Sequence, residues 1–131
     1  MVVPKRQFPG NAAFVGYWRI THMDTWGREA MDHDGPAFIS FDDEGLGDVR
    51  FAFIRGWPDC RFGERDGKPL VEFSWDGVDG GGETSGRGWA VLDGADKMTG
   101  ALFIHRRDDS PFKAERQADP EADTRQASAR R

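Results

Sequence analysis

The sequence predicts an all-β protein: a single antiparallel up-and-down (meander) barrel of seven to eight strands with one short helical turn. Three observations carry this. Ten Phe, five Trp and one Tyr sit between Phe8 and Phe112, in runs of strand length. Gly- and Asp-rich turns cut those runs apart, and turns this short make neighbouring strands antiparallel. Seven or eight such strands sharing one apolar face must stack as two sheets or close on themselves. Consecutive short turns favour closure, which removes exposed edges.

Strands are expected at 14–22, 37–42, 46–57, 60–65, 69–75, 84–92 and 98–107, with a short eighth at 112–116. Residues 26–31, within the longer connection 23–35, suit a single helical turn. Asp66-Gly67 is the strongest local signal, because a two-residue type I′ turn needs positive φ at both positions. It pairs Phe62 with Val71, Arg61 with Glu72 and Cys60 with Phe73. One face then holds Cys60, Phe62, Val71, Phe73 and Trp75, while Arg61 meets Glu72 on the other. A three-residue loop at Asp43-Glu44-Gly45 sets Ile39 opposite Val49 and Phe41 opposite Gly47, with the inner face continuing through Phe51, Phe53 and Arg55. A four-residue loop at 93–96 sets Val91 opposite Met98 and Trp89 opposite Gly100. That register turns Arg87 and Arg106 to the side of Leu102 and Ile104.

Composition narrows the function classes. The formal net charge is −5 over 131 residues, and the acids outnumber the bases most clearly before residue 113. An acidic body argues against nucleic acid, whose affinity rests on clustered Lys and Arg. Apolar stretches of five or six residues are too short to span a bilayer as a helix, and the N-terminus lacks the apolar segment of a secretory signal. Cys60 is the only cysteine, which fits a reducing cytoplasm. The barrel domain is therefore placed at 1–112. Residues 113–131 form a charged tail without Val, Ile, Leu, Met or aromatic residues, and such a segment is expected to stay disordered.

Phe14, Gly16 and Trp18, in F-x-G-x-W spacing at the head of the first strand, resemble the opening of the calycin barrels: lipocalins, fatty-acid-binding proteins and bacterial relatives. The same start is similar to that of small uncharacterised bacterial proteins, which imply no function. The calycin resemblance implies that Gly16 lets the entering chain press close and that Trp18 plugs the barrel floor. It also implies a late-strand Arg across that Trp, with Arg106 or Arg107 the matching candidates. The chain departs from fatty-acid-binding proteins in having too short a connection at 23–35 for two helices, and no Arg-x-Tyr pair near its end.

Two functions from different classes follow. The first is a small binding protein holding an apolar or amphipathic molecule, anionic in one form of the reading, inside the barrel or at its mouth. Trp57, Trp75 and Trp89 would supply contact area together with Phe53 and Phe73, and Arg55, Arg87 or Arg106 would orient an anionic head. Rings at this density also suit a filled core, and arginines also snorkel to the rim. The second is a filled-barrel interaction module, of the kind inhibitors and antitoxins use, acting through acidic turns or the tail, or a homodimer packed through outward Phe38, Ile54 and Phe103. Catalytic and metal sites are not expected. His22, His33 and His105 share no ligand spacing, G-x-S-x-G is absent, and the Asp- and Gly-rich stretch at 76–83 lacks a calcium-loop frame and reads as a mobile tip. No cofactor is implied.

Overall fold

The computed structural model describes residues 11–119. Eight antiparallel strands follow one another around a closed barrel. They are β1 (Gly16–Met23), β2 (Phe38–Phe41), β3 (Gly47–Phe51), β4 (Ile54–Arg65), β5 (Lys68–Asp79), β6 (Gly82–Leu92), β7 (Lys97–Ile104) and β8 (Asp109–Gln117). A four-residue helix α1 (Asn11–Phe14) precedes β1, and α2 (Arg28–Met31) lies between β1 and β2, at the expected helical turn. β8 closes the barrel on β1, with a register shift between Ile20 and His22.

Two hairpins match the expected registers. Asp66 and Gly67 take φ of 52° and 79°, and β4 and β5 pair from Arg65↔Lys68 through Cys60↔Phe73. Ile39 faces Val49 and Phe41 faces Gly47 across β2 and β3. The alternation of buried and exposed residues along β4 and β5 follows these pairings, so hydrophobic pattern and turn chemistry agree.

Elsewhere the strands break at other places than expected. Residues 46–57 are not one strand: a two-residue turn at Ala52 and Phe53 separates β3 from β4, with Phe51 opposite Ile54. Ala52 holds φ of 54° without a Gly or Asn to ease it. Its buried amide donates to the carbonyl of Met31 (2.8 Å), a tertiary contact invisible in local sequence. That turn reverses the alternation, so Phe53 and Arg55 lie outside rather than continuing the inner face. Pro58, read as a strand break, lies inside β4. The β3–β4 ladder lapses around it and resumes at Leu46↔Asp59, as expected where a residue has no N–H to give.

At the next turn, β5 and β6 run to Asp79 and from Gly82, leaving Gly80 and Gly81 as the tip. The β6–β7 register is one residue off the expected one: Leu92 faces Met98 and Ala90 faces Gly100. Arg87, Trp89 and Val91 therefore point outward. Arg106 is in the β7–β8 turn with φ of 61°, not in a strand. The eighth strand is longer than expected. Its last five residues, 113–117, belong to the segment read as tail, and the rest of that segment from residue 120 lies outside the described residues.

The core is the barrel interior. Its large rings rest on glycines of neighbouring strands: a Cβ on Gly56 or Gly86 would strike the Trp75 ring, one on Gly88 would strike Phe73, and one on Gly100 would strike Phe112. Flat rings against bare backbone let the wall approach the lumen closely. The inner side chains keep almost no accessible surface: Phe51 0%, Leu102 1% and Trp75 2%. A ligand-sized lumen would leave its lining accessible, so among the described residues the interior is filled.

Candidate functional site

The two ends of the barrel differ. One carries the start of β1, the end of β8 and the β2–β3, β4–β5 and β6–β7 turns. Here Trp18 is fully buried, and its Nε1 donates to the Phe14 carbonyl (2.9 Å). The guanidinium of Arg116, from β8, lies 4.3 Å from the centre of the Trp18 ring and donates to the carbonyls of Val15 (2.9 Å) and Ala13. Gly16 holds φ of 130°, a backbone conformation that strains any residue with a Cβ, and a Cβ there would also sit 2.9 Å from Arg116 Nη1 and push it aside. This end is a floor. The late-strand arginine across Trp18 is Arg116, not Arg106 or Arg107, because β7 ends at Ile104 and only β8 returns beside β1.

The opposite end, the mouth, gathers the β3–β4, β5–β6 and β7–β8 turns and is spanned by the 24–36 connection. On one side Asp24 and Thr25 are tied to β8: the Thr25 amide donates to Ser110 Oγ (3.1 Å), and its hydroxyl donates to the Asp109 carbonyl (2.8 Å). On the other, α2 reaches the β3–β4 turn through Met31, which is buried. Trp26 lies over Phe51 (5.4 Å between ring centres), and Phe51 meets Trp75 edge-on (6.5 Å). Arg19 anchors the connection by two hydrogen bonds to Asp32 (2.6 and 3.0 Å), which also accepts from the Ala37 amide (2.9 Å). Burial pulls the Asp32 carboxyl upward, but the Arg19 and Ala37 hydrogen bonds and the charges of Arg19 and Arg28 outweigh it, so its pKa lies below the ordinary value.

The residues expected to bind a ligand fall into three groups. Phe73 and Trp75 are inside. Phe53, Arg55 and Trp57 lie on the outer surface near the mouth beside Val78, with Phe53, Trp57 and Val78 all large and exposed. Arg55 there pairs with Asp48 (3.4 Å). Arg87, Trp89 and Arg106 belong to the outer wall and rim across β6 and β7. The tryptophans thus form no common wall.

Two clefts form around the third group, and Phe73 of the first group also lines one of them. One, of about 330 Å³, is lined at the rim by Ser85, Gly86, Arg87, Phe103, Ile104 and the β7–β8 turn with His105, Arg106, Arg107, Asp108 and Asp109. A second, of about 440 Å³, runs down the outer wall past Asp59, Arg61, Glu72, Phe73, Ser74 and Trp89, and shares Arg87 and Phe103 with the first. Arg87 lies over the Phe103 ring (5.1 Å), and Arg65 covers Trp89 (4.6 Å). Arg107 is engaged by Asp79. Arg87 and Arg106 make no hydrogen bond or ion pair among the described residues, although Asp108 and Asp109 line the same cleft. His105 and Phe103 complete this cleft and were missed as site residues; only the corrected β6–β7 register brings them beside Arg87.

Cys60 is buried on the inner face, and burial, with the charges of Asp59 and Asp42, pushes its thiol up to about 12. It stays protonated and is a poor nucleophile. No group of three or more His, Cys, Asp or Glu among the described residues could hold a metal. Set against family models, curated proteins and solved structures, the chain matches none of them.

Proposed function

We propose that this protein is a non-catalytic binding protein of calycin-like build that takes a small amphipathic anion at its mouth. The observation that carries the reading is the rim cleft, where Arg87 and Arg106, neither held by a hydrogen bond or ion pair, line the same space as Phe103 and Ile104, alongside Arg107 and the carboxylates of Asp108 and Asp109. Guanidiniums offer fork-shaped donors to a carboxylate, sulfonate or phosphate, and the adjoining rings cover an apolar body. The calycin reading is supported by Gly16, Trp18 and Arg116, which meet at the floor as that resemblance implies.

The test uses the anionic fluorophore 1-anilinonaphthalene-8-sulfonate on the full chain. Saturable binding is expected, weakened about tenfold or more when Arg87→Ala and Arg106→Ala are combined, since each lost charge-assisted hydrogen bond is worth roughly 1.5–3 kcal/mol. Absence of saturable binding, or affinity indifferent to both substitutions, would refute the reading.

A second reading, a filled-barrel protein-interaction module, is favoured by Phe53, Trp57 and Val78 standing exposed together beside the mouth. Sedimentation of the full chain tests its homodimer form: a dimer that Trp57→Glu dissociates would support it, and a monomer at all concentrations would remove that form.

A further inference from the structure

The indole N–H of Trp75 is buried in the barrel without an acceptor. Its surroundings explain the isolation. The ring lies on Gly56 and Gly86 and meets the edge of Phe51, which leaves the N–H unsatisfied. A buried donor left unpaired is destabilising, and such groups are rare enough in folded proteins to call for a cause. A line of packed rings leads from the mouth to it. Trp26, Phe51 and Trp75 follow one another from the mouth inward, and the outermost belongs to the 24–36 connection. That connection is not part of the sheet. Beyond its ties to β8, it is held by Met31, by Asp32 bonded to Arg19 and the Ala37 amide, by Arg28 donating to the Thr21 carbonyl (3.2 Å), by Arg50 donating to the Pro36 carbonyl (3.1 Å) and by the contact of His33 with Phe53 (4.3 Å). Gly27 and Gly35, the latter at φ of 117°, flank α2.

We propose that the 24–36 connection is a displaceable plug, and that the Trp75 N–H is a selectivity donor for a small apolar guest bearing one hydrogen-bond acceptor. The guest takes the space that Met31 and Trp26 vacate, and its acceptor satisfies the indole. This rests on the binding-protein reading and adds to it the chemistry of the guest's buried part. An acceptor-free hydrocarbon of the same shape gains the apolar burial but not the hydrogen bond, so it binds more weakly.

The experiment compares two neutral probes of near-identical shape, 2-acetylnaphthalene and 2-ethylnaphthalene, on full-length protein. Neutral probes leave Arg87 and Arg106 out of the measurement, so its failure is distinct from failure of the rim cleft to bind an anion. In protein labelled with ¹⁵N at tryptophan, one indole N–H resonance should move downfield with the ketone and not with the hydrocarbon. The ketone should bind about tenfold more tightly, as a hydrogen bond at the upper end of the usual net value allows. Trp75→Phe should remove both the resonance and the preference. Asp32→Asn, which loosens the plug, should speed association several-fold while leaving the preference intact.

If neither probe binds saturably, or both shift the indole equally, the selectivity donor is disproved. An association rate unchanged by Asp32→Asn disproves the plug. The resonance measurement needs no substitution, so it decides the question even where Trp75→Phe folds poorly.

Discussion

At Gly67 and Gly86 the same substitution meets different obstacles. Gly67 sits at φ of 79° with nothing within 4 Å of the place a Cβ would take, so Gly67→Ala tests backbone conformation alone. It should cost about 1–2 kcal/mol, the usual penalty for an L-residue in left-handed backbone. Gly86 has ordinary φ, but its Cβ would lie 1.9 Å from the Phe103 carbonyl and 2.5 Å from the Trp75 ring. Gly86→Ala should cost about 3 kcal/mol, because backbone on one side and a packed ring on the other cannot both give way. Urea unfolding of the two variants measures the difference. Cys60 gives a third outcome at this scale. With its thiol pushed up to about 12, it should resist thiol reagents in the native protein and react at the rate of unfolding.

At the scale of the element, the 24–36 connection depends on one carboxylate. The folded-state pKa of Asp32 lies below its ordinary value, so its contribution is present above the ordinary carboxylate range. That contribution fades as pH falls through the ordinary value of 3.8 towards the lower folded one. Acidification into this range should therefore loosen α2 before the barrel melts. The expected signature is a change in Trp26 environment, followed by fluorescence, that Asp32→Asn shows already at neutral pH. Coincidence of that change with global unfolding would show instead that α2 and the barrel form one cooperative unit.

At the scale of the molecule, closure rests on β8. Arg116 joins the floor through the Trp18 ring and two carbonyls reached across the chain from β8 to the start of β1. Arg116→Met should lower stability by about 3 kcal/mol, since charge-assisted hydrogen bonds contribute roughly 1.5–3 kcal/mol each and the carbonyls lose their donor. Deletion from residue 113 onward should abolish cooperative unfolding altogether, because it removes the residues pairing Tyr17 through His22. A deletion that tests the tail for partner contacts must therefore begin beyond residue 119.

Sequence alone determined the fold class, the registers of the β2–β3 and β4–β5 hairpins and the inner face of β4 and β5. In those regions turn residues and two-residue periodicity constrain the same pairing, and each checks the other. It did not determine the break at Ala52, where the run Phe51-Ala52-Phe53-Ile54 reads as uninterrupted strand and only the Met31 carbonyl explains the turn. Nor could it choose the β6–β7 register, since residues 93–96 accommodate either pairing and a slip of one exchanges the faces of Arg87, Trp89 and Val91. The candidate site was legible as residue types, arginines and rings, but not as a place. Alternation assigns a side chain to one of two faces, whereas a cleft at a barrel rim forms from turns brought together by closure, a contact between residues distant in the chain that no local pattern encodes.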